Sequence, residues 1–305
     1  MHDVIIIGAG PAGYTAGIYC SRARHDTLLI SGILPGGQLM NTTDVENYPG
    51  FSDGIMGPDL MTVMRKQTEK MGTKIIDDEV TSVDFKNRPL KVKTASEEFE
   101  ARAVIVCTGA NPRKIGLDGE QTFAGKGVSY CATCDGAFFR DQELIVVGGG
   151  DSAMEEAIFL TKFASVVHIV HRKEEFRASK IMQERALSNE KIKVHFNSTV
   201  KEIHGDQKFQ QVVLNNTKTN EDKILEAGGL FIAIGHEPNS AIFQDQIELD
   251  GNGYIIIKNN TETSVTGVFC AGDVHDHRYR QAVTAAGFGC MAAIDVDKYL
   301  SKSNT

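Results

Sequence analysis

The chain has 305 residues, 41% of them hydrophobic and 24% charged, with a formal net charge of -8. That length accommodates about two domains, and the composition is that of an ordinary globular protein. The acidic balance argues against a nucleic-acid partner and an anionic membrane surface, both of which favour basic faces, and no apolar run approaches the roughly 18 residues of a membrane span.

The opening MHDVIIIGAG has no basic region ahead of its apolar run and no small-residue cleavage site. It reads as a first strand, and a cytoplasmic location is expected. The run Val4 to Ile7 meets Gly8, Gly10 and Gly13, with Pro11 and Ala12 between them and a helical stretch behind. This is G-x-G-x-x-G in the strand-turn-helix setting of a dinucleotide site. Gly8 serves the tight turn, Gly10 the approach of a pyrophosphate, and Gly13 the packing of helix on strand. The helix N-terminus offers N–H groups and a favourable dipole to the phosphates. The second strand, TLLIS, ends in Ser31-Gly32 with neither an acid nor a cationic cluster, which leaves the ribose contact of this first nucleotide unspecified. A later strand, VIVCTGANP, carries Thr108 and Gly109 and closes at Pro112.

Residues 131–135 read CATCD, the chain's one CxxC. Zinc normally takes four ligands, often as two such pairs, and the nine histidines here are dispersed. A cytosolic chain of this size is also a poor setting for a structural disulfide framework.

The glycine pattern recurs in ELIVVGGGDSAMEEAIFL, with Gly148 and Gly150 matching and Ala153 in the third position. LFIAIGHEPN at 230–239 echoes VIVCTGANP, so two related units are present. In the second unit the strand VVHIVH runs into HRKEEFR. No acid ends that strand; Arg172, Lys173 and Arg177 stand there instead, at a predicted helix start. Such cations oppose the helix dipole by about 0.3–1 kcal/mol each. They form a cage for the 2′-phosphate of NADPH. A second nicotinamide would be a poor redox partner for the first, so a flavin, FAD, is the inference for the N-terminal unit. VFCAGDV at 268–274 supports it, since Asp273 ends an apolar strand where a carboxylate can bond a flavin's hydroxyls, and a helix is predicted over 281–299. A flavin beside a CxxC makes Cys131 and Cys134 a redox dithiol, with Asp135 as the available proton donor and acceptor.

The predicted fold class is α/β, with two Rossmann-like dinucleotide-binding domains, the NADPH domain inserted into the FAD domain. The expected boundaries are 1–112 and 241–305 for FAD and 113–240 for NADPH, with Pro112 and Pro238 at the crossings.

From GxGPAG through GGQL, VENYPG, CATCDG, GGGDSA and HRKEEFR to AGDV and YRQA, the chain resembles the low-molecular-weight thioredoxin reductases along essentially its whole length. The resemblance implies an FAD-containing homodimer in which NADPH reduces FAD, FAD reduces the CxxC disulfide, and the dithiol reduces thioredoxin. It places Cys134 nearest the flavin, gives Cys131 the attack on the substrate disulfide, and makes Asp135 the acid/base residue. It assigns FAD contacts to the stretch 31–38, including Ser31, Gly32, Gly37 and Gln38, to Leu39, Asn47, Val80, Thr108 and Gly109, and to the stretch 273–282 after Gly272, including Asp273, Arg280, Gln281 and Ala282. NADPH contacts fall on Gly150, Asp151, Ser152, Ala153, His171, Arg172, Lys173, Arg177, Ile234 and Gly235. The resemblance also implies rotation of the inserted domain about its two linkers. Many relatives carry HRR where this chain has His171-Arg172-Lys173; lysine offers a point charge instead of a planar fork.

Overall fold

The computed structural model describes residues 1–33 and 35–302. Leu34, within the expected flavin stretch 31–38, lies outside the described residues. The chain divides into two compact units, one made of Met1–Asn111 and Glu237–Thr305, the other of Pro112–His236.

In the first unit the apolar runs become parallel strands, His2–Ile7, Thr27–Ile30 and Lys74–Ile76 on one side and Glu98–Val106 and Val268–Cys270 on the other. Parallel neighbours need long crossovers, and here the helices Pro11–Arg22 and Gly57–Lys70 supply them. The strands Leu90–Thr94 and Val80–Asp84 continue the sheet in antiparallel pairing. Because both faces are covered, the central strands are apolar at successive positions rather than alternately. Ile5 joins the core on one face and Ile6 the core on the other, and both are fully buried. The C-terminal helix Ala282–Lys302 lies against Pro11–Arg22 so closely that a side chain at Gly289 would meet the Ala12 carbonyl oxygen at 2.1 Å.

The second unit is built on a five-stranded parallel sheet, in the order Val128–Ser129, Gly229–Ile232, Glu143–Val147, Val166–Val170, Ile192–His195. One face carries the helices Asp151–Leu160 and Lys180–Leu187 over a core that includes Val146, Met154 and Phe231. On the other face Ile145, Leu230 and Ile232 share a core with Val200, Phe209 and Val212 of a three-stranded antiparallel sheet, Ser198–Gly205, Phe209–Asn216 and Asp222–Glu226. The second unit ends at His236, two residues before Pro238. There the short strands Ala110–Pro112 and His236–Pro238 pair with each other. Among the described residues no helix is long and apolar enough to cross a membrane.

Candidate active site

The dithiol is held at the end of the edge strand Val128–Ser129. Cys131 caps the short helix Ala132–Asp135, and a 3-10 turn over Gly136–Phe139 follows. Two intervening residues put both sulfurs on one turn, and Cys131 and Cys134 form a disulfide with Cα atoms 5.3 Å apart. Cys131 is half-buried and Cys134 exposed. The Cys134 backbone N–H donates to Cys131 Sγ at 3.2 Å, and Thr133 Oγ1 lies 3.3 Å from the same sulfur. Ala132 is buried, and a side chain at Gly136 would meet Leu160 at 2.9 Å, so this turn packs directly on the helix behind it. Asp135 accepts a 2.6 Å hydrogen bond from Ser129 Oγ. Burial pushes its carboxyl above the usual range, and the Ser129 hydroxyl pulls it back. The segment entering the dithiol is anchored by buried Glu120, which accepts from the N–H groups of Ile115 and Gly116 and from the Tyr130 hydroxyl at 3.0 Å. Sequence reasoning passed over both Ser129 and Glu120, since neither belongs to a motif.

The two glycine loops share one logic. A side chain at Gly8 would meet the Cys107 carbonyl oxygen at 2.3 Å, and one at Gly13 the Gly8 carbonyl oxygen at 1.9 Å, but one at Gly10 would meet nothing within 4 Å. In the second unit Gly148 is hemmed in by Ala233 O at 2.4 Å, whereas Gly150 again faces open space. The outer glycines are therefore required by the protein's own packing. Gly10 and Gly150 are not, which leaves close approach of a ligand as their physical reason.

Around the first loop the structure gathers several expected flavin contacts. Gly37 lies beside Gly10, Gly36 N donates to Ala9 O at 3.0 Å, and Gly272 touches Ala12. Asp273 Oδ1 is buried with no hydrogen-bond partner among the described residues. Burial, reinforced by Asp276, raises the Asp273 carboxyl to about 7. Arg280 and Gln281 lead into the helix at Ala282, the Arg280 N–H being held by Asp276 Oδ2. Gln38 donates to Asn111 Oδ1 at 2.7 Å, and Thr108 donates to the Asn239 carbonyl at 2.7 Å next to Gly109. Ser31 donates to Asp77 Oδ1 at 2.7 Å, and Arg65 grips the same carboxylate in a fork at 2.8 and 3.0 Å. An acid therefore does stand at the end of this strand, supplied from beyond Lys74–Ile76, where sequence spacing gives no signal of it. Leu39 packs on one core and Val80 is part of the other, which leaves Val80 only its backbone for a ligand, while Asn47 is exposed.

Around the second loop, Asp151 accepts from Ser179 Oγ at 2.6 Å and from its N–H at 3.0 Å, and Arg177 N donates to Gly149 O at 2.7 Å. These bonds overturn one expectation. Residues 172–179 are not the start of a helix, which begins only at Lys180. The N–H groups of Arg177, Ala178 and Ser179 are committed to Gly149 and Asp151, so the segment is laid along the glycine loop instead. His171 is 7% exposed; its Nε2 donates to the Glu175 carbonyl, and its ring occupies the space a side chain at Gly149 would need, at 2.2 Å. Burial lowers its basicity, and the nearby Arg177, Arg172 and Lys173 lower it further. Those three cations are exposed and form no ion pair among the described residues, while Glu174, which interrupts them, is taken up by Lys218 at 2.5 Å. Ala153 is buried under the loop, Ser152 and Ile234 are half-buried, and a side chain at Gly235 would meet nothing within 4 Å.

A parallel-sheet protein with two dinucleotide loops and a CxxC disulfide is a nucleotide-linked sulfur oxidoreductase in outline, and the comparisons define which kind. The family model for pyridine nucleotide-disulphide oxidoreductases matches residues 2–289. The thioredoxin reductase of Streptomyces clavuligerus is 54% identical, over 99% of this chain and 94% of that one. A bifunctional thioredoxin reductase/thioredoxin of Mycobacterium leprae is 50% identical over 99% of this chain and 66% of that protein. The solved thioredoxin reductase from Giardia duodenalis superposes with a TM-score of 0.95 at 43% identity, over 98% of this chain and 99% of that one. The chain belongs to the pyridine nucleotide-disulphide oxidoreductases, in their thioredoxin reductase branch. Enzymes of this branch use FAD and NADPH.

The residues present fit both groups. The open face at Gly10 and the buried Asp273 carboxyl, whose Oδ1 has no hydrogen-bond partner among the described residues, suit a pyrophosphate and a polyhydroxyl chain. The open face at Gly150 and the exposed Arg172, Lys173 and Arg177, which form no ion pair among the described residues, suit a phosphorylated adenosine.

Proposed function

We propose that the protein is an NADPH-dependent thioredoxin-disulfide reductase, working as a cytoplasmic homodimer through FAD and the Cys131–Cys134 pair. The observation that carries this is the disulfide itself, accessible at Cys134 and set one residue from a half-buried acid in the unit that holds the cation-flanked glycine loop. The M. leprae relative, in which reductase and thioredoxin share one chain, supports thioredoxin as the partner.

When bound, FAD supplies a two-electron carrier between the nicotinamide and the sulfurs. Gly10 would let its pyrophosphate approach and Asp273 would hold its hydroxyl chain, with Ser31, Gly37, Gln38 and Arg280 to Ala282 as further contacts. In the second unit Gly150, Asp151 and Ala153 form the floor for NADPH, and Arg172, Lys173 and Arg177 neutralise its 2′-phosphate. His171 acts from beneath, propping the loop through Gly149.

Once the disulfide is opened, negative charge settles on Cys131, whose sulfur already receives the Cys134 N–H and lies beside the Thr133 hydroxyl. The Cys131 thiolate attacks one sulfur of the substrate disulfide; a new S–S bond forms as the old one breaks, and the departing thiolate takes the proton from Asp135. The Asp135 carboxylate then takes the Cys134 proton. The Cys134 thiolate attacks Cys131 Sγ, restoring the intramolecular disulfide and releasing the second substrate thiolate. One dithiol is oxidised and one disulfide reduced.

The test is Cys134→Ser. It keeps bound flavin and flavin reduction by NADPH but loses reduction of oxidised thioredoxin by at least about 1000-fold, since no second sulfur resolves the mixed disulfide. Undiminished thioredoxin turnover would sink the proposal.

A further inference from the structure

We propose that Ser129 is a positioning residue for the proton transfer at the dithiol, orienting Asp135 and biasing it toward the ionised form through a hydroxyl that is itself fixed by the Cys131 backbone. The inference rests on Asp135 being the proton carrier of the reaction proposed above.

The geometry is closed on every side. Ser129 is 5% exposed, at the end of a strand that pairs in parallel with Gly229–Ile232. Its Oγ accepts the Cys131 N–H at 3.1 Å, so one lone pair is used and the single hydroxyl proton must go elsewhere. Two acceptors are in reach, Asp135 Oδ2 at 2.6 Å and the Cys131 carbonyl at 3.4 Å. That carbonyl already accepts the N–H groups of Cys134 at 3.2 Å and Asp135 at 3.1 Å. The hydroxyl proton therefore belongs to Asp135, at a distance typical of a hydrogen bond to a charged oxygen.

The consequence is directional. An ionised Asp135 accepts this bond. A protonated Asp135 must either use its other oxygen or force Ser129 to turn its proton toward a carbonyl already occupied. Ser129 thus opposes the burial that favours the neutral acid. The titratable and charged groups around them are Asp151, Glu155 and Glu156 of the helix behind, Arg140 past the 3-10 turn, Tyr130 with its partner Glu120, and the two cysteines; Gly229–Ile232 carries none. The same oxygen that reads the acid also holds the backbone of the attacking cysteine, so the proton carrier and the nucleophile share one anchor.

The test uses the full flavin-loaded enzyme as parent, Ser129→Ala, Ser129→Thr and Asp135→Asn. Reduction of oxidised thioredoxin is followed between about pH 5.5 and 9.5, a range that brackets titration of both acid and thiol. NADPH-driven ferricyanide reduction, which draws electrons without the sulfurs, reports on folding and flavin loading. Ser129→Ala is expected to move the limb that Asp135→Asn abolishes to higher pH by about one unit, the equivalent of a lost hydrogen bond to a charged group. Ser129→Thr, which keeps the hydroxyl, stays on the parent's profile, and ferricyanide reduction is the same in the parent and both Ser129 variants. If Ser129→Ala superimposes on the parent while Asp135→Asn loses the limb, the role given to Ser129 is wrong and that of Asp135 stands. If Asp135→Asn keeps the parent's limb, Asp135 is not the proton carrier and the inference falls with it.

Discussion

Gly10→Ala separates what the protein requires from what its ligand requires. The backbone at Gly10 has φ -84° and ψ -171°, a conformation open to any residue, and the new methyl group would meet no atom within 4 Å. With no strain and no clash, the only effect on the flavin-free protein is a less flexible unfolded chain, a stabilisation of about 0.4–1 kcal/mol. The same methyl group sits where the pyrophosphate must approach, so FAD affinity is expected to fall by about 100-fold, or roughly 2.8 kcal/mol. Gly8→Ala is the opposite case. Its φ of +109° and the 2.3 Å approach to Cys107 O destabilise the fold whether or not flavin is bound. The assay is thermal unfolding of the flavin-free proteins, paired with fluorescence titration by FAD. A Gly10→Ala protein that is destabilised by more than about 1 kcal/mol without flavin, or that binds FAD as tightly as the parent, would refute the reasoning.

Three further outcomes are expected. Asp273, with its carboxyl raised to about 7, adds stability to the flavin-free protein at low pH and loses it as pH climbs from the unfolded value toward and past 7. Asp273→Asn should therefore gain on the parent as pH rises from about 4 to 8, by up to about 4 kcal/mol, and a gap that stays constant in melts across that range contradicts the buried acid. Replacing Arg172, Lys173 and Arg177 together with glutamine should raise the KM for NADPH by about 100-fold, at roughly 1 kcal/mol per charge, while leaving the KM for NADH and the flavin content as they were. Gly149→Ala drives a methyl group into the His171 ring and should cost the second unit about 1–3 kcal/mol, read as a lower denaturant midpoint; a wild-type midpoint would mean the ring is free to move aside.

The strand-glycine-helix order of both loops and the CxxC were legible in the sequence because each is a local pattern with one physical reason. The strand-to-glycine-to-helix order at Ile7, Gly8 and Pro11 needs no distant partner to be recognised. What was not legible depends on contacts across the chain. Residues 172–177 carry good helix formers, but the N–H groups of Arg177, Ala178 and Ser179 are taken by Gly149 and Asp151, more than 20 positions upstream. His171, an expected NADPH contact, has its ring packed against the loop at Gly149, which its sequence neighbours do not signal. Ser31 lacked an acid in sequence, yet Asp77 arrives beside it through pairing of Thr27–Ile30 with Lys74–Ile76. Ser129 carried no signal at all; its importance lies in a hydroxyl proton with nowhere else to go.

The short ribbon of Ala110–Pro112 and His236–Pro238 has a consequence for how such a chain is assembled. Within the first unit Asn239 N donates to Gly109 O at 2.9 Å, and within the second Arg113 N donates to Gly235 O at 2.9 Å, so each unit ties its own cut ends together. For the first unit, a folded guest bridges those ends as a tight turn does, and only an unfolded guest adds the entropy of closing a long loop. The guest meets the same condition, since its two ends leave it side by side. Either module can thus be lifted out by a cut at one place, with a few residues to bridge the gap, and its sheet is left whole.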